Sequence, residues 1–305
     1  MKSKIINAVL IVALVTGFVL FAGCTSSESS GTAAGTDAPG AVYSMTEDGL
    51  LEIEKVEYSY SPGDVLSSGE AGAVKVSEVW MNDGESDVYA ILAEPQNPEA
   101  GIIFAPGAGV SADTHLNRSI DYGESGIAFM AVDIRGNGGK TQGVALDFQN
   151  ELETAMAGKT PQYYSIVFDL IAAKNYLKEI YGDELPVYVM GSSNGGRYAA
   201  VAAGTDSEFA GFIGVSTSGY EYEEGVNGAD VDLFVKSINP NTYVSEISPA
   251  ETVILHAPED NIIGYEYGLE LFNRASEPKD FVAFNGIHGI NSEVDGFVMD
   301  LLAED

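Results

Sequence analysis

An α/β architecture with a mostly parallel sheet is what this sequence predicts, on three observations. From Gly101 onward, short apolar runs rich in Val, Ile and Phe alternate with helix-length segments. That is the rhythm of right-handed crossovers, which make strands parallel and cover both faces of the sheet with helices. Ahead of Gly101, strand-like runs follow one another across the turn signals Ser61-Pro-Gly-Asp64 and Asn82-Asp-Gly84 with no helix between them, which predicts an antiparallel N-terminal edge. Third, the apolar run Val187 to Met190 passes through Gly191-Ser-Ser-Asn-Gly195 into a helix that begins Gly195-Gly-Arg-Tyr-Ala-Ala200, whose glycines and alanines let it pack close to the sheet. A strand-to-helix turn that tight leaves no space for a β-carbon at its flanks.

Residues 1 to 24 read as an address. Lys2 and Lys4 precede the apolar stretch Ile5 to Phe21, and Phe21-Ala-Gly-Cys24 ends in the only cysteine of the chain. This is the layout of a secretory signal. It resembles a lipoprotein signal, which implies lipid attachment at Cys24; an uncleaved membrane helix is the alternative, because the apolar stretch approaches spanning length. Both readings put the remaining chain outside the cytoplasmic membrane, exported and anchored on its outer face by an N-terminal lipid or helix. Thr25 to Gly40, rich in Ser, Thr, Gly and Ala, reads as a flexible tether. Residues 41–305 have no internal repeat and suit a single domain with a core of its own. With Cys24 used or removed, that domain has no disulfide to rely on.

The chain carries 46 acidic and 14 basic residues, a formal net charge of −32. Such a surface repels phosphate backbones, so nucleic acid is excluded as a partner. The acids are scattered rather than run together, and they read as a solvated surface.

Strands are expected at Leu51 to Tyr60, Ala73 to Trp80 and Asp87 to Ala93, then at Gly101 to Ala105 and Ile127 to Asp133, with a polar helix near Ala112 to Tyr122 between the last two. Thr160-Pro161 marks a helix start, and the helix runs toward Tyr181 with Ile166, Leu170, Ala173 and Leu177 on one face. After the Gly191 to Gly195 turn come strands Phe212 to Val215, Val253 to Ala257 and Phe281 to Phe284, with helices over Tyr265 to Ala275 and Ser292 to Leu302. Gly219 to Tyr243 is long enough for a small cap only, so little or no lid is expected. In such sheets the site lies beyond the carboxyl ends of the strands.

Gly191-Ser-Ser-Asn-Gly195 fits the G-x-S-x-G nucleophile elbow with Ser193 at its centre. A serine hydroxyl needs a neighbouring base to accept its proton. The chain has three histidines, His115, His256 and His288. His256 lies in an apolar strand run and reads as a hydrogen-bonded core residue; His115 reads as a surface or pocket-rim residue. His288, in a glycine-flanked loop after the final strand, is the preferred base. A carboxylate must hold its other nitrogen, and Glu259 and Asp260 both follow a strand on the right edge. Asp133 also ends a strand, but anchoring the loop that carries Arg135 is its more plausible role.

From Asp87 to Leu302 these segments, in this order, resemble the α/β-hydrolase superfamily, serine esterases of the dienelactone-hydrolase type in particular. Ala105-Pro-Gly-Ala-Gly109 sits where that family has its oxyanion loop, with Pro106 in place of the usual histidine. Val132-Asp-Ile-Arg-Gly-Asn-Gly-Gly139 resembles its Asp-x-Arg-Gly-x-Gly segment, and Ala257-Pro-Glu-Asp260 its acid loop. The resemblance implies an α/β-hydrolase fold, Ser193, Asp260 and His288 as catalytic residues, and the amides of Ala108 and Asn194 as oxyanion donors. It implies a serine hydrolase acting on a small-molecule ester of small or medium size, a carboxylesterase before a peptidase or amidase. A non-catalytic surface lipoprotein that binds a ligand or a partner on the same scaffold is the contrasting expectation.

No cofactor is expected: Gly139-Lys140-Thr141 lacks the glycine and following helix of a phosphate loop, and Gly136, Gly138 and Gly139 do not make G-x-G-x-x-G. No close His, Cys and carboxylate cluster suggests a metal.

Overall fold

A computed structural model describes residues 36–68 and 74–303. The signal-like segment and Cys24 lie outside the described residues. Twelve strands and eight α-helices follow one another as β1 (Thr36–Ala38), β2 (Ala41–Met45), β3 (Leu51–Val56), β4 (Ser59–Ser68), β5 (Lys75–Asn82), β6 (Asp87–Glu94), β7 (Ala100–Ala105), α1 (Leu116–Glu124), β8 (Ile127–Val132), α2 (Phe148–Met156), α3 (Gln162–Tyr181), β9 (Val187–Ser192), α4 (Asn194–Thr205), β10 (Gly211–Val215), α5 (Ala229–Ile238), α6 (Pro240–Tyr243), β11 (Glu251–His256), α7 (Tyr265–Arg274), β12 (Lys279–Ala283) and α8 (Ser292–Ala303).

The main sheet has nine strands in the order β12-β11-β10-β9-β7-β8-β6-β5-β4. From β12 to β8 every neighbouring pair is parallel. The β8/β6, β6/β5 and β5/β4 pairs are antiparallel, so the mixed sheet with an antiparallel N-terminal edge has the form expected. Period-2 alternation sorts each strand's side chains to two faces. Ile103, Val189, Phe212 and Ile254 join Ile166, Leu170 and Ala173 of α3 in one core. Ile102, Phe104, Met190, Ile213 and Val253 join Tyr122 of α1 and Val294 and Val298 of α8 in the other. Two-sided cover explains why β7 to β9 read as nearly unbroken apolar runs.

The N-terminal strands depart from the expectation in an instructive way. The run from Leu51 to Tyr60 is two strands in two sheets. β3 pairs with β2, and β2 with β1, in a separate antiparallel sheet, whose Tyr43 ring packs 5.3 Å from that of Phe168. β4 is the outer edge of the main sheet, and Ser61-Pro-Gly-Asp64 lies inside it, where the register with β5 slips between Pro62 and Val65. Proline and glycine are tolerated there because an edge strand needs no donor on its outer side and a bulge absorbs the misfit. Strand pairing also begins at Thr36, within the stretch read as tether.

Three helices differ in detail. The segment after β7 starts with a 3-10 turn, Ala112–His115, before α1, and α2 fills a stretch where no helix was expected. Pro161 is the N-cap of α3 rather than its first helical residue. Between β10 and β11 lie only α5 and the single turn α6; α5 packs on α2 through the rings of Phe234 and Phe148, 5.6 Å apart.

Candidate active site

Parallel pairing brings five strand ends to one edge. Ala105 pairs with Gly191, Ser192 with Val215, and His256 with Ala283, so the loops after β7, β9, β10, β11 and β12 open side by side. Ser193 follows β9 at φ 55° and ψ −122°, a backbone state costly for a residue with a β-carbon and characteristic of a strained strand-to-helix elbow. The elbow closes because its flanks have no side chains. A β-carbon on Gly195 would fall 2.0 Å from the Ala105 carbonyl oxygen, and one on Gly191 would fall 2.4 Å from the carbonyl carbon of Gly195. The Ser193 amide donates to Val215 O at 2.9 Å, and Ser193 O accepts from Thr217 Oγ1 at 2.8 Å.

His288 stands between the two other candidates. Its Nε2 is 2.8 Å from Ser193 Oγ, and its Nδ1 is 2.8 Å from Asp260 Oδ2 and 3.1 Å from Oδ1. The proton is assigned to Nδ1, the nitrogen that faces the carboxylate, which leaves the Nε2 lone pair toward the serine. Asp260 is buried, and its Oδ1 also accepts from the amides of Ile262 at 2.9 Å and Ile263 at 3.0 Å. Burial alone would raise the Asp260 carboxyl. The Ile262 and Ile263 amides and the His288 ring outweigh it and hold the carboxyl below the usual range.

The loop after β7 lies against the elbow: a β-carbon on Gly107 would touch Ser193 Cβ and Ser192 O at 3.3 Å each. Asn137 Nδ2 donates to Gly107 O at 3.0 Å and Val110 O at 3.2 Å, pinning this loop from the far side. Among the described residues, neither the Ala108 nor the Asn194 amide has an acceptor within the chain. At the start of α4 the Asn194 side chain is held by Tyr198 Oη at 2.8 Å and by Arg197 Nη1 at 3.2 Å.

The other nominated groups lie elsewhere. Asp133 is fully buried and accepts from the amides of Ala112 at 3.0 Å and Thr141 at 2.9 Å, so it ties together the loops after β7 and β8. Arg135 pairs with Asp169 and Asp83, each at 2.7 Å. His115 is buried, against the expectation of a surface or rim position. Its ring packs edge-on to Phe104 with centroids 4.7 Å apart, and its Nδ1 accepts from Arg118 Nη1 at 2.6 Å. Burial and the Arg118 charge pull its pKa down to about 4. Among the described residues no group of three or more His, Cys, Asp or Glu side chains is set to hold a metal.

Sequence reasoning passed over Asn137, Ser216 and Thr217. Ser216 takes φ 48° at the end of β10, and its Oγ accepts from the amide of Gly289, next to His288, at 3.1 Å. The small hydroxyl run Ser216-Thr-Ser218, immediately after a buried strand, was the available signal for the last two.

No family model matches the chain, and no curated protein does. Solved structures do match. The chain superposes on the acetyl xylan esterase from Paenibacillus sp. R4 with a TM-score of 0.68 at 16% identity, covering 81% of this chain and 89% of that one. For acetyl xylan esterase 1 from Thermoanaerobacterium sp. JW/SL YS485 the TM-score is 0.66 at 15% identity, with 82% and 88% covered. For the glucuronoyl esterase from Solibacter usitatus it is 0.60 at 13% identity, with 81% and 86% covered.

Proposed function

On this α/β-hydrolase fold, we propose that the chain is an exported serine hydrolase that cleaves carboxylic esters of small or medium size through an acyl-serine intermediate. One observation carries the reading: His288 lies within 2.8 Å of Ser193 Oγ on one side and of Asp260 on the other, at the carboxyl edge of the sheet. The strained backbone of Ser193 supports it too, because a binding scaffold without chemistry gains nothing from presenting a hydroxyl at that cost. Ser193 Oγ attacks the ester carbonyl carbon as His288 Nε2 takes its proton. The oxyanion lies against the Ala108 and Asn194 amides, each such donor being worth about 3 kcal/mol in the transition state. The leaving alcohol then takes the proton from His288, and the acyl-serine remains. Water repeats the sequence with the same base, releasing the acid and restoring the serine. Asp260 stays ionised throughout and holds Nδ1–H.

An ester is favoured over an amide by the kind of neighbour the fold has. Those neighbours are named for acetyl xylan and glucuronoyl esters, so acylated carbohydrate belongs in the first assays beside p-nitrophenyl acetate. The test is labelling with a fluorophosphonate probe and mapping of the modified residue. Modification confined to Ser193 and lost in Ser193→Ala supports the reading. Absence of labelling in the folded protein overturns it in favour of a ligand- or partner-binding role.

Export and anchoring rest on Lys2, Lys4, the apolar stretch and Cys24. A Cys24→Ser chain should lose an acyl-dependent mass shift and move to the aqueous phase of a detergent extraction. Retention with an intact N-terminus favours a spanning helix instead.

A further inference from the structure

His256 ends β11 with its side chain wholly buried, four residues before Asp260. Its Nε2 is 2.9 Å from the carbonyl oxygen of Ile263 and 3.4 Å from Asp260 Oδ2. Its Nδ1 is buried and has no hydrogen-bond partner. That nitrogen faces the backbone of Gly268 on α7, where a β-carbon would come within 2.2 Å of it. The tautomer follows. A proton on Nδ1 would be a buried donor without an acceptor, and the Nε2 lone pair would then confront a carbonyl and a carboxylate oxygen. A proton on Nε2 meets two oxygens and leaves only an unprotonated nitrogen against Gly268.

The Asp260 carboxylate is therefore ringed by donors. Oδ1 takes the Ile262 and Ile263 amides, while Oδ2 lies between His288 Nδ1 and the Nε2–H edge of His256. The same His256 proton closes the acid loop, because its acceptor is the carbonyl of the residue whose amide holds Oδ1. We propose that His256 is a positioning residue for the acid. It locks residues 257–263 so that Oδ2 points at His288 Nδ1, and it acts on turnover only through Asp260 and His288. The inference rests on the proposed roles of Ser193, Asp260 and His288. It adds a second imidazole beside the same carboxylate oxygen.

The variants separate donor from bulk. His256→Phe keeps a flat buried ring without a donor. His256→Gln carries an amide N–H to about the reach of Nε2, whereas His256→Asn carries one only as far as Nδ1. With p-nitrophenyl acetate, the Phe and Asn variants should lose about tenfold in kcat with KM within about twofold, the scale of one misplaced hydrogen bond. The Gln variant should recover to within about threefold of the parent. Independently of turnover, the downfield proton resonance of His288 Nδ1–H should shift or broaden in the Phe and Asn variants and return in Gln. If the Phe variant does not fold, the comparison of Asn with Gln decides alone. Parent-like kcat and an unmoved resonance in Asn or Phe would overturn the proposal, as would equal defects in Asn and Gln. A parent protein that shows the resonance but no Ser193-dependent hydrolysis would instead sink the esterase reading and leave the resonance test standing.

Discussion

Ser216 Oγ accepts a hydrogen bond from the amide of Gly289 at 3.1 Å, so the end of β10, the strand beside β9, holds the loop that carries His288. Its neighbour Thr217 donates to the carbonyl of Ser193. His288 and Ser193 are thus braced from one dipeptide, which supports the 2.8 Å contact between them.

Ser216→Ala removes that acceptor and leaves the Gly289 amide unpaired. Expected are a loss of about tenfold in kcat, with KM nearly unchanged, and a fall in stability of about 1–3 kcal/mol. Steady-state kinetics on a p-nitrophenyl ester and a urea titration read the two effects separately. An unchanged kcat would show that the loop is held without it.

Asp260→Asn is the sharper lesion. An amide N–H facing Nδ1 drives the imidazole proton to Nε2, where it can no longer accept from Ser193. Turnover should drop by roughly 10⁴-fold with the fold retained, following the behaviour of such triads elsewhere. Circular dichroism alongside the rate measurement distinguishes this from unfolding.

Asn137→Ala unpins the loop after β7 by deleting both donations, to Gly107 O and Val110 O. The Ala108 amide then loses its fixed aim, and kcat/KM should fall about 10- to 100-fold, part of the scale of a lost oxyanion donor. The rate of fluorophosphonate labelling should fall in parallel, since that reaction also builds negative charge on an oxygen beside Ser193.

Stability should depend on pH through His115. Its folded pKa is pulled down to about 4 by burial and by Arg118, whereas an unfolded histidine titrates near 6.5. Below about pH 6.5 the unfolded chain therefore binds a proton that the folded chain refuses, and stability falls as pH drops until the folded residue also protonates near 4. The contribution is about 3 kcal/mol across that window. His115→Asn keeps an acceptor for Arg118 but does not titrate, so urea midpoints from pH 7 to pH 4 should flatten relative to the parent. Asp260 acts lower on the scale. Its depressed carboxyl adds stability above about pH 3.9, lost as pH falls through its folded value.

Features written in contiguous residues were legible in the chain. The run Val187 to Met190, the paired glycines and the Gly195-Gly196 helix start specify the elbow together, because steric exclusion at Gly191 and Gly195 is a local demand. That these strands run parallel followed from the alternation of strand and helix, which needs no knowledge of packing. Parallelism put the loops holding Ala108, Ser193, Asp260 and His288 on one edge before any distance was known. Apolar content could not separate β3 from β4, since both halves of Leu51 to Tyr60 suit a strand and only the competing partners β2 and β5 assign them to different sheets.

Composition and local pattern by themselves determined the fold class, the acidic net charge, and the nomination of one serine and one histidine, while the choice of Asp260 over Glu259 came from the resemblance. The tertiary structure alone decided which groups hold those three in place. Ser216 and Thr217 reach the loop of His288 and the carbonyl of Ser193 because β10 lies between β9 and β11 in the sheet. Asn137 reaches the loop after β7 because β8 is the neighbour of β7. His256 faces Asp260 because the acid loop folds back over the end of its own strand. His115 is buried because the 3-10 turn before α1 lays its ring against Phe104. None of these contacts leaves a periodicity in the chain, since each joins residues whose nearness is created by strand order and loop closure, and a hydrogen bond requires that nearness to a few tenths of an ångström.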